Sequence, residues 1–207
     1  MNQIDYSLYL VTNNSENEEK FLKTIEEAIL GGVTIVQLRE KTSSTLNFYN
    51  LALKVKKITD KYEIPLLIND RIDIALAIDA DGVHLGQEDM PCKIARKLMP
   101  NKIIGISAST VEQALKAESE GADYLGSGAV FPTSTKDDAD FVSINQLKKI
   151  VRSVNISVVA IGGINEENTS KLVNTNIQGI SVVSAIMNSD NPKIASENLL
   201  KRFKNRK

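Results

Sequence analysis

The chain has 207 residues, 42% hydrophobic and 25% charged, with 25 Lys and Arg against 26 Asp and Glu for a formal net charge of −1. That composition excludes long disorder, collagen-like repeats and coiled coils, and it gives no global reason to expect nucleic acid as a partner. A single cysteine, Cys92, excludes an internal disulfide framework and a cysteine-only metal site.

The opening, MNQIDYSLYLVT, lacks the basic region and apolar stretch of a secretion signal. Apolar runs such as Ile156 to Ile164 fall far short of the roughly 20 residues that span a bilayer. The expectation is a soluble cytoplasmic protein with no membrane or nucleic-acid partner, compatible with a homo-oligomer.

In chain order, short apolar runs predict strands at Leu8–Thr12, Val33–Leu38, Pro65–Asn69, Gly82–Leu85, Ile103–Ser107, Tyr124–Ser127, Ser157–Ile161 and Gly179–Val183. Most are continuously apolar rather than alternating, which suits parallel strands covered on both faces. Amphipathic stretches lie between them. Ser15 with Glu18, and Ser109 with Glu112, have capping-box spacing and predict helix starts. Phe21, Leu22, Ile25, Ala28 and Ile29 recur at helical spacing, and Gly31 is read as a left-handed stop. Phe48, Leu51, Val55, Ile58 and Tyr62 form a second such stripe, with Tyr49 and Tyr62 read as packing. Gly121 closes the helix that Ser109 opens, and the basic tail KRFKNRK ends the last one, where cations oppose the helix dipole.

Eight strand–helix units without a linker or low-complexity tract predict an α/β fold, a single (β/α)8 TIM barrel over 1–207 with short loops. The rival is a doubly wound open sheet, whose glycine fingerprint would follow the first strand; TNNSENEE stands there instead. The GSG at Gly126–Gly128 lacks the third glycine of a dinucleotide loop.

In such a barrel the active site lies at the C-terminal strand ends. Strand two ends in Gln37, Leu38, Arg39, Glu40 and Lys41, strand three in Asn69, Asp70 and Arg71, and strand four leads to Gln87 and Asp89. Strand five ends at Ser107, and strand six is followed by Thr133, Ser134, Thr135 and Lys136. Strands seven and eight end in Gly162-Gly163 and Ser181–Ser184. This one-rim convergence predicts an enzyme. Arg39, Lys41, Arg71 and Lys136 predict a polyanionic ligand such as pyrophosphate, since Arg gives phosphate a fork of donors and Lys a point charge.

Asp70 and Asp89 each precede a predicted helix, so each has a plain N-cap reading. They also follow adjacent strands, so their carboxylates can converge, as a Mg²⁺–pyrophosphate complex requires. Gly162-Gly163 and Val183-Ser184 open the loops where barrels often hold a phosphate through backbone N–H groups. The only histidine, His84, lies inside a strand and is read as a satisfied interior group. Cys92, in the first turn of a helix, is read as structural with a slightly acidified thiol.

The ordered series QLREK (Gln37–Lys41), NDR (Asn69–Arg71), DGVHLGQED (Asp81–Asp89), GIS (Gly105–Ser107), GADYLGSGAVFPTSTK (Gly121–Lys136), AIGGI (Ala160–Ile164) and VVSAI (Val182–Ile186) resembles the thiamine-phosphate synthase family over nearly the whole chain. The resemblance implies a Mg²⁺-dependent transferase that joins an aminopyrimidine methyl diphosphate to a hydroxyethylthiazole phosphate. It implies that Gln37, Leu38, Arg39, Glu40, Lys41, Asn69, Ser107 and Lys136 bind the pyrimidine diphosphate, with Arg39, Lys41, Ser107 and Lys136 catalytic. It further implies Asp70 and Asp89 as metal ligands, and Thr133, Ser134, Thr135, Gly163, Val183 and Ser184 as the thiazole phosphate site, with Arg71 behind the contact residues. The paralogous thiazole tautomerase is the runner-up: it depends on a His where Ser109 stands and lacks the Asp of NDR. A non-catalytic barrel that senses phosphorylated metabolites is a third reading.

Overall fold

A computed structural model describes residues 4–13, 17–133 and 141–205. Eight strands alternate with helices: β1 (Leu8–Val11), α1 (Glu18–Leu30), β2 (Ile35–Leu38), α2 (Thr45–Lys61), β3 (Leu66–Asn69), α3 (Ile72–Ala77), β4 (Gly82–Leu85) and α4 (Cys92–Leu98). There follow β5 (Ile103–Ser107), α5 (Val111–Ser119), β6 (Tyr124–Ser127), α6 (Ile144–Ser153) and β7 (Ser157–Ile161). A 3-10 turn (Thr169–Leu172), β8 (Gly179–Val182), α7 (Ser184–Met187) and α8 (Pro192–Lys204) complete the order. All neighbouring strands are parallel, and β8 pairs back onto β1, closing the barrel. This is the predicted (β/α)8 architecture, and strand limits agree within one or two residues. No described helix is long and apolar enough to cross a membrane.

The continuous apolar strand runs exist because both strand faces are covered. Leu10, Val36, Ile68, Val83, Ile104 and Leu125 pack outward against the helices. Tyr9, Val11, Ile35, Leu67, Tyr124 and Val159 fill the barrel lumen as a separate cluster. At β5 the lumen position is Gly105, and a Cβ there would lie 2.1 Å from Tyr124 Cζ. The glycine leaves the room that the tyrosine ring occupies.

Three local readings are corrected. Helix α1 is capped by Asn17, whose side chain accepts from the Lys20 N–H, while Ser15 lies outside the described residues. The α5 box is Thr110 with Gln113, one residue beyond Ser109 and Glu112, and both of its reciprocal bonds form. Gly31 has φ −86°, and it is Gly32, at φ +98°, that turns left-handed. Gly31 is needed for a different reason: a Cβ there would lie 2.3 Å from the Lys193 carbonyl of α8.

Candidate active site

The C-terminal rim gathers most of the expected residues. Gln37 is buried at the end of β2, and its Nε2 donates to the Tyr9 hydroxyl at 2.6 Å. Leu38 is fully buried in the outer core, so it offers the rim only backbone. The Arg39 N–H donates to Thr12 Oγ1 at 3.0 Å, which ties this loop to the end of β1. Glu40 accepts from the Ser43 hydroxyl at 2.6 Å.

Next along the rim, Asn69 is buried, and its Nδ2 has no hydrogen-bond partner among the described residues. A buried donor in that state is costly unless a ligand accepts from it. Asp70 has φ +61°, outside the extended geometry of an N-cap. Helix α3 starts after Arg71 and α4 after Pro91, and neither end has a side-chain cap. The N-cap reading of Asp70 and Asp89 therefore fails. Instead Asp70 Oδ2 lies 2.5 Å from Lys41 Nζ, and Asp89 Oδ2 accepts the Gly86 N–H at 2.6 Å.

The two carboxyls are also neighbours. Burial, reinforced by Asp70, raises the Asp89 pKa above the ordinary carboxylate range. Two carboxylates in contact, from adjacent strands, form a pair that a divalent cation would relieve. Among the described residues no third Asp, Glu, His or Cys completes an all-protein cage. That donor set fits Mg²⁺, which is commonly held by one or two carboxylates plus phosphate oxygens and water.

One member of the expected cationic cluster turns away from the rim. Arg71 is turned to Asp73, with bonds of 2.8 and 2.6 Å, and to Thr45, so it does not join the mouth. Ser134, Thr135 and Lys136 lie outside the described residues. Arg39 and Lys41 are the rim cations that remain described.

On the far side, Gly163 has φ +65°, and a Cβ there would lie 2.4 Å from the Pro132 carbonyl. The loop after β7 thus sits directly against the loop that carries Thr133. Asn168 Nδ2 donates to the Gly163 carbonyl at 2.7 Å, holding that turn. Val183 and Ser184 follow β8, the neighbour of β7, and begin α7. The proposed phosphate-binding loops are therefore adjacent.

Sequence reasoning missed the lumen side of the site. His84 Nδ1 lies 2.8 Å from the Tyr124 hydroxyl and His84 Nε2 lies 3.0 Å from Ser107 Oγ. The Tyr124 and Tyr9 hydroxyls are 2.7 Å apart. Gln87 Nε2 donates to the Ser107 carbonyl at 2.6 Å. The available signal was Gly105 on β5 beside a tyrosine strand neighbour on β6. Cys92 is buried, and burial pushes its thiol up to about 11, so the expected acidification does not occur while the structural reading stands.

Comparison with known proteins agrees with this geometry. A family profile described as thiamine monophosphate synthase matches residues 8–186. A thiamine-phosphate synthase of Methanobrevibacter smithii is 66% identical over 205 residues, covering 99% of this chain and 98% of that protein. One from Clostridium acetobutylicum is 60% identical, covering 93% and 92%. The solved structure of a thiamine phosphate pyrophosphorylase from Pyrococcus furiosus superposes with a TM-score of 0.88 at 40% identity, covering 98% of each chain.

Proposed function

The chain belongs to the thiamine monophosphate synthase family and is a transferase, and we propose that it joins 4-amino-2-methylpyrimidinylmethyl diphosphate to 4-methyl-5-(2-phosphoethyl)thiazole, forming thiamine phosphate and releasing pyrophosphate. The observation that carries this reading is the Asp70–Asp89 pair beside Lys41, with neither carboxylate spent on a helix cap.

The chemistry asks little proton transfer of the protein. The C–O bond between the pyrimidinylmethyl carbon and the diphosphate breaks, and its electron pair leaves with pyrophosphate. The pyrimidine ring delocalises the resulting cation, and the thiazole nitrogen lone pair forms the new C–N bond. That nitrogen is already a nucleophile, so no general base is required. The protein's contribution is charge placement and alignment.

Arg39, Lys41 and Lys136 bind the departing diphosphate, and Ser107 donates to it. Asn69 and Gln37 orient the pyrimidine end, along a rim strip formed with Leu38 and Glu40. Asp70 and Asp89 would hold Mg²⁺, and Mn²⁺ would suit the same oxygen-rich shell. Bound by these two residues, Mg²⁺ would supply positive charge to stabilise the departing pyrophosphate. Thr133, Ser134, Thr135, Gly163, Val183 and Ser184 hold the thiazole phosphate and so aim its nitrogen. The same reading places the whole activity in one barrel over 1–207, acting on small phosphorylated molecules in the cytoplasm.

Pyrophosphate release from purified protein tests this, with both substrates and Mg²⁺, against controls that omit the thiazole phosphate or chelate the metal. Release that needs all three, with thiamine phosphate formed, is the expected result. No release from folded protein that still binds the thiazole phosphate would overturn it.

A further inference from the structure

The lumen holds a polar chain whose middle members, Tyr9, Tyr124 and His84, the reaction just described leaves unused. It runs from Gln37 Nε2 through the Tyr9 hydroxyl, the Tyr124 hydroxyl and the His84 ring to Ser107 Oγ, with steps of 2.6, 2.7, 2.8 and 3.0 Å. Tyr9 and Tyr124 are fully enclosed, and burial raises both phenols, so each keeps its proton. Gly126 on β6 packs against the imidazole edge, where a Cβ would lie 2.9 Å from Cε1. The ring is held from both sides. Both ends of the chain are residues that the proposed function assigns to the pyrimidine diphosphate.

The donor types give this chain a direction. An amide nitrogen can only donate, so the Tyr9 oxygen accepts from Gln37. If Tyr9 also accepted from Tyr124, its own proton would be buried without an acceptor among the described residues. Tyr9 therefore donates to Tyr124, and Tyr124 donates to His84 Nδ1. An imidazole that accepts at Nδ1 carries its proton on Nε2, and that proton is given to Ser107 Oγ. Among the described residues the Ser107 hydroxyl proton then has no acceptor, which leaves it for a ligand. The contact of Gln87 with Ser107 is Nε2 donating to the backbone carbonyl, not a bond to the hydroxyl.

We propose that Tyr9, Tyr124 and His84 form a one-way donor chain that positions Ser107 to donate its hydroxyl proton in a hydrogen bond to an oxygen of the pyrimidine diphosphate. This rests on the proposed function for its ligand, and on the lumen geometry alone for its direction. The three are positioning residues, acting through Ser107. With the chain reversed, the Gln37 amide oxygen would accept from Tyr9, and the Ser107 proton would point into His84, away from substrate.

The chain has one histidine, so the ¹⁵N spectrum of tag-free, histidine-labelled protein reports this ring alone. The expected spectrum at neutral pH shows a protonated Nε2 and a bare Nδ1. A proton on Nδ1 overturns the proposal, and this arm needs no variant to fold. In the second arm, Tyr124→Phe should raise KM for the pyrimidine diphosphate about tenfold and leave KM for the thiazole phosphate unchanged. Tyr9→Phe repeats the arm should Tyr124→Phe misfold. On a Ser107→Ala background the Tyr124→Phe effect should vanish, because both changes remove the same hydrogen bond. A full additional loss in the double variant, or equal effects on the two substrates, overturns the positioning role. The two readings fail differently: wild type without any turnover removes the ligand from both, whereas normal turnover with the opposite tautomer removes this one alone.

Discussion

Lys41 Nζ meets the Asp70 carboxylate at 2.5 Å where β2 and β3 open onto the rim, so one side chain holds in place the charge that a metal would need. The pair is half-exposed and gives little stability of its own. Its consequence is competition: a divalent cation arriving at Asp70 must displace the ammonium, which is then free to turn towards phosphate.

Lys41→Ala should therefore separate two effects that usually move together. Without substrates, calorimetric titration should show Mg²⁺ binding about threefold more tightly, since the displaced ion pair is gone. Turnover should nevertheless fall by about tenfold or more, because a cation facing the leaving group is lost. Weaker Mg²⁺ binding in the variant would contradict the competition.

Asp89 leads to a prediction of opposite sign for stability and activity. Its carboxyl sits above the ordinary range because it is partly buried and lies beside Asp70. For an acid whose folded-state pKa is raised, the folded state binds the proton more tightly. Stability then rises as pH falls through the raised pKa and is diminished at neutral pH. Asp89→Asn keeps an oxygen for the Gly86 N–H and removes the repulsion. Thermal melts without metal at pH 7 should show a higher Tm for the variant, with no further rise on adding Mg²⁺. Its turnover should drop by at least about 100-fold. A lower metal-free Tm would count against the strained pair.

Gly105→Ala tests the lumen. Its Cβ would fall 2.1 Å from Cζ of a Tyr124 ring that is fully buried and tethered at its hydroxyl. The ring has no free path to move aside. Urea denaturation should show a loss of about 3 kcal/mol, the upper part of the usual overpacking range. Tyr124→Leu in the same chain should recover part of it, whereas Tyr124→Phe, which keeps the ring, should not.

Arg96 tests the opposite end of the barrel. Its guanidinium gathers the Gly121, Met99 and Lys102 carbonyls and pairs with Asp123 at 2.6 Å, joining α4 to the start of β6. Arg96→Met should cost about 1–3 kcal/mol in denaturant melts by leaving those acceptors unpaired. With the rim intact, kcat should stay within about twofold of wild type. A large fall in kcat with normal stability would show that the two ends are not separable.

The barrel was legible because parallel strands must be apolar on both faces, and runs such as Leu66–Asn69 and Ile103–Ser107 announce that directly. The rim residues were legible for the same reason: Asp70, Asp89 and Ser107 are polar where apolar runs stop. Small shifts at the helix ends were not legible. Ser109 with Glu112 and Thr110 with Gln113 have the same spacing, and only tertiary placement selects the second. Gly31 and Gly32 are adjacent glycines, and only the fold decides that Gly32 takes the positive φ while Gly31 lies against the Lys193 carbonyl. Arg71 looked like part of a phosphate cluster because sequence shows charge without direction, and its direction is towards Asp73. The Tyr9–Tyr124–His84 contacts join residues far apart in the chain, so no local pattern displays them.

Asp70 sits in a left-handed backbone conformation that costs a non-glycine residue roughly 1 kcal/mol or more. Beside it stand a carboxyl held out of its ordinary range and a buried amide nitrogen with no acceptor among the described residues. Each is a defect by the standards of folding alone, and together they outline the mouth. Breeding this barrel only for heat resistance would reward Gly at position 70, a neutral residue at 89 and an apolar one at 69, erasing the proposed metal and substrate site while improving the scaffold. Any programme that hardens the protein must hold those three positions fixed and look for its gains at the other rim.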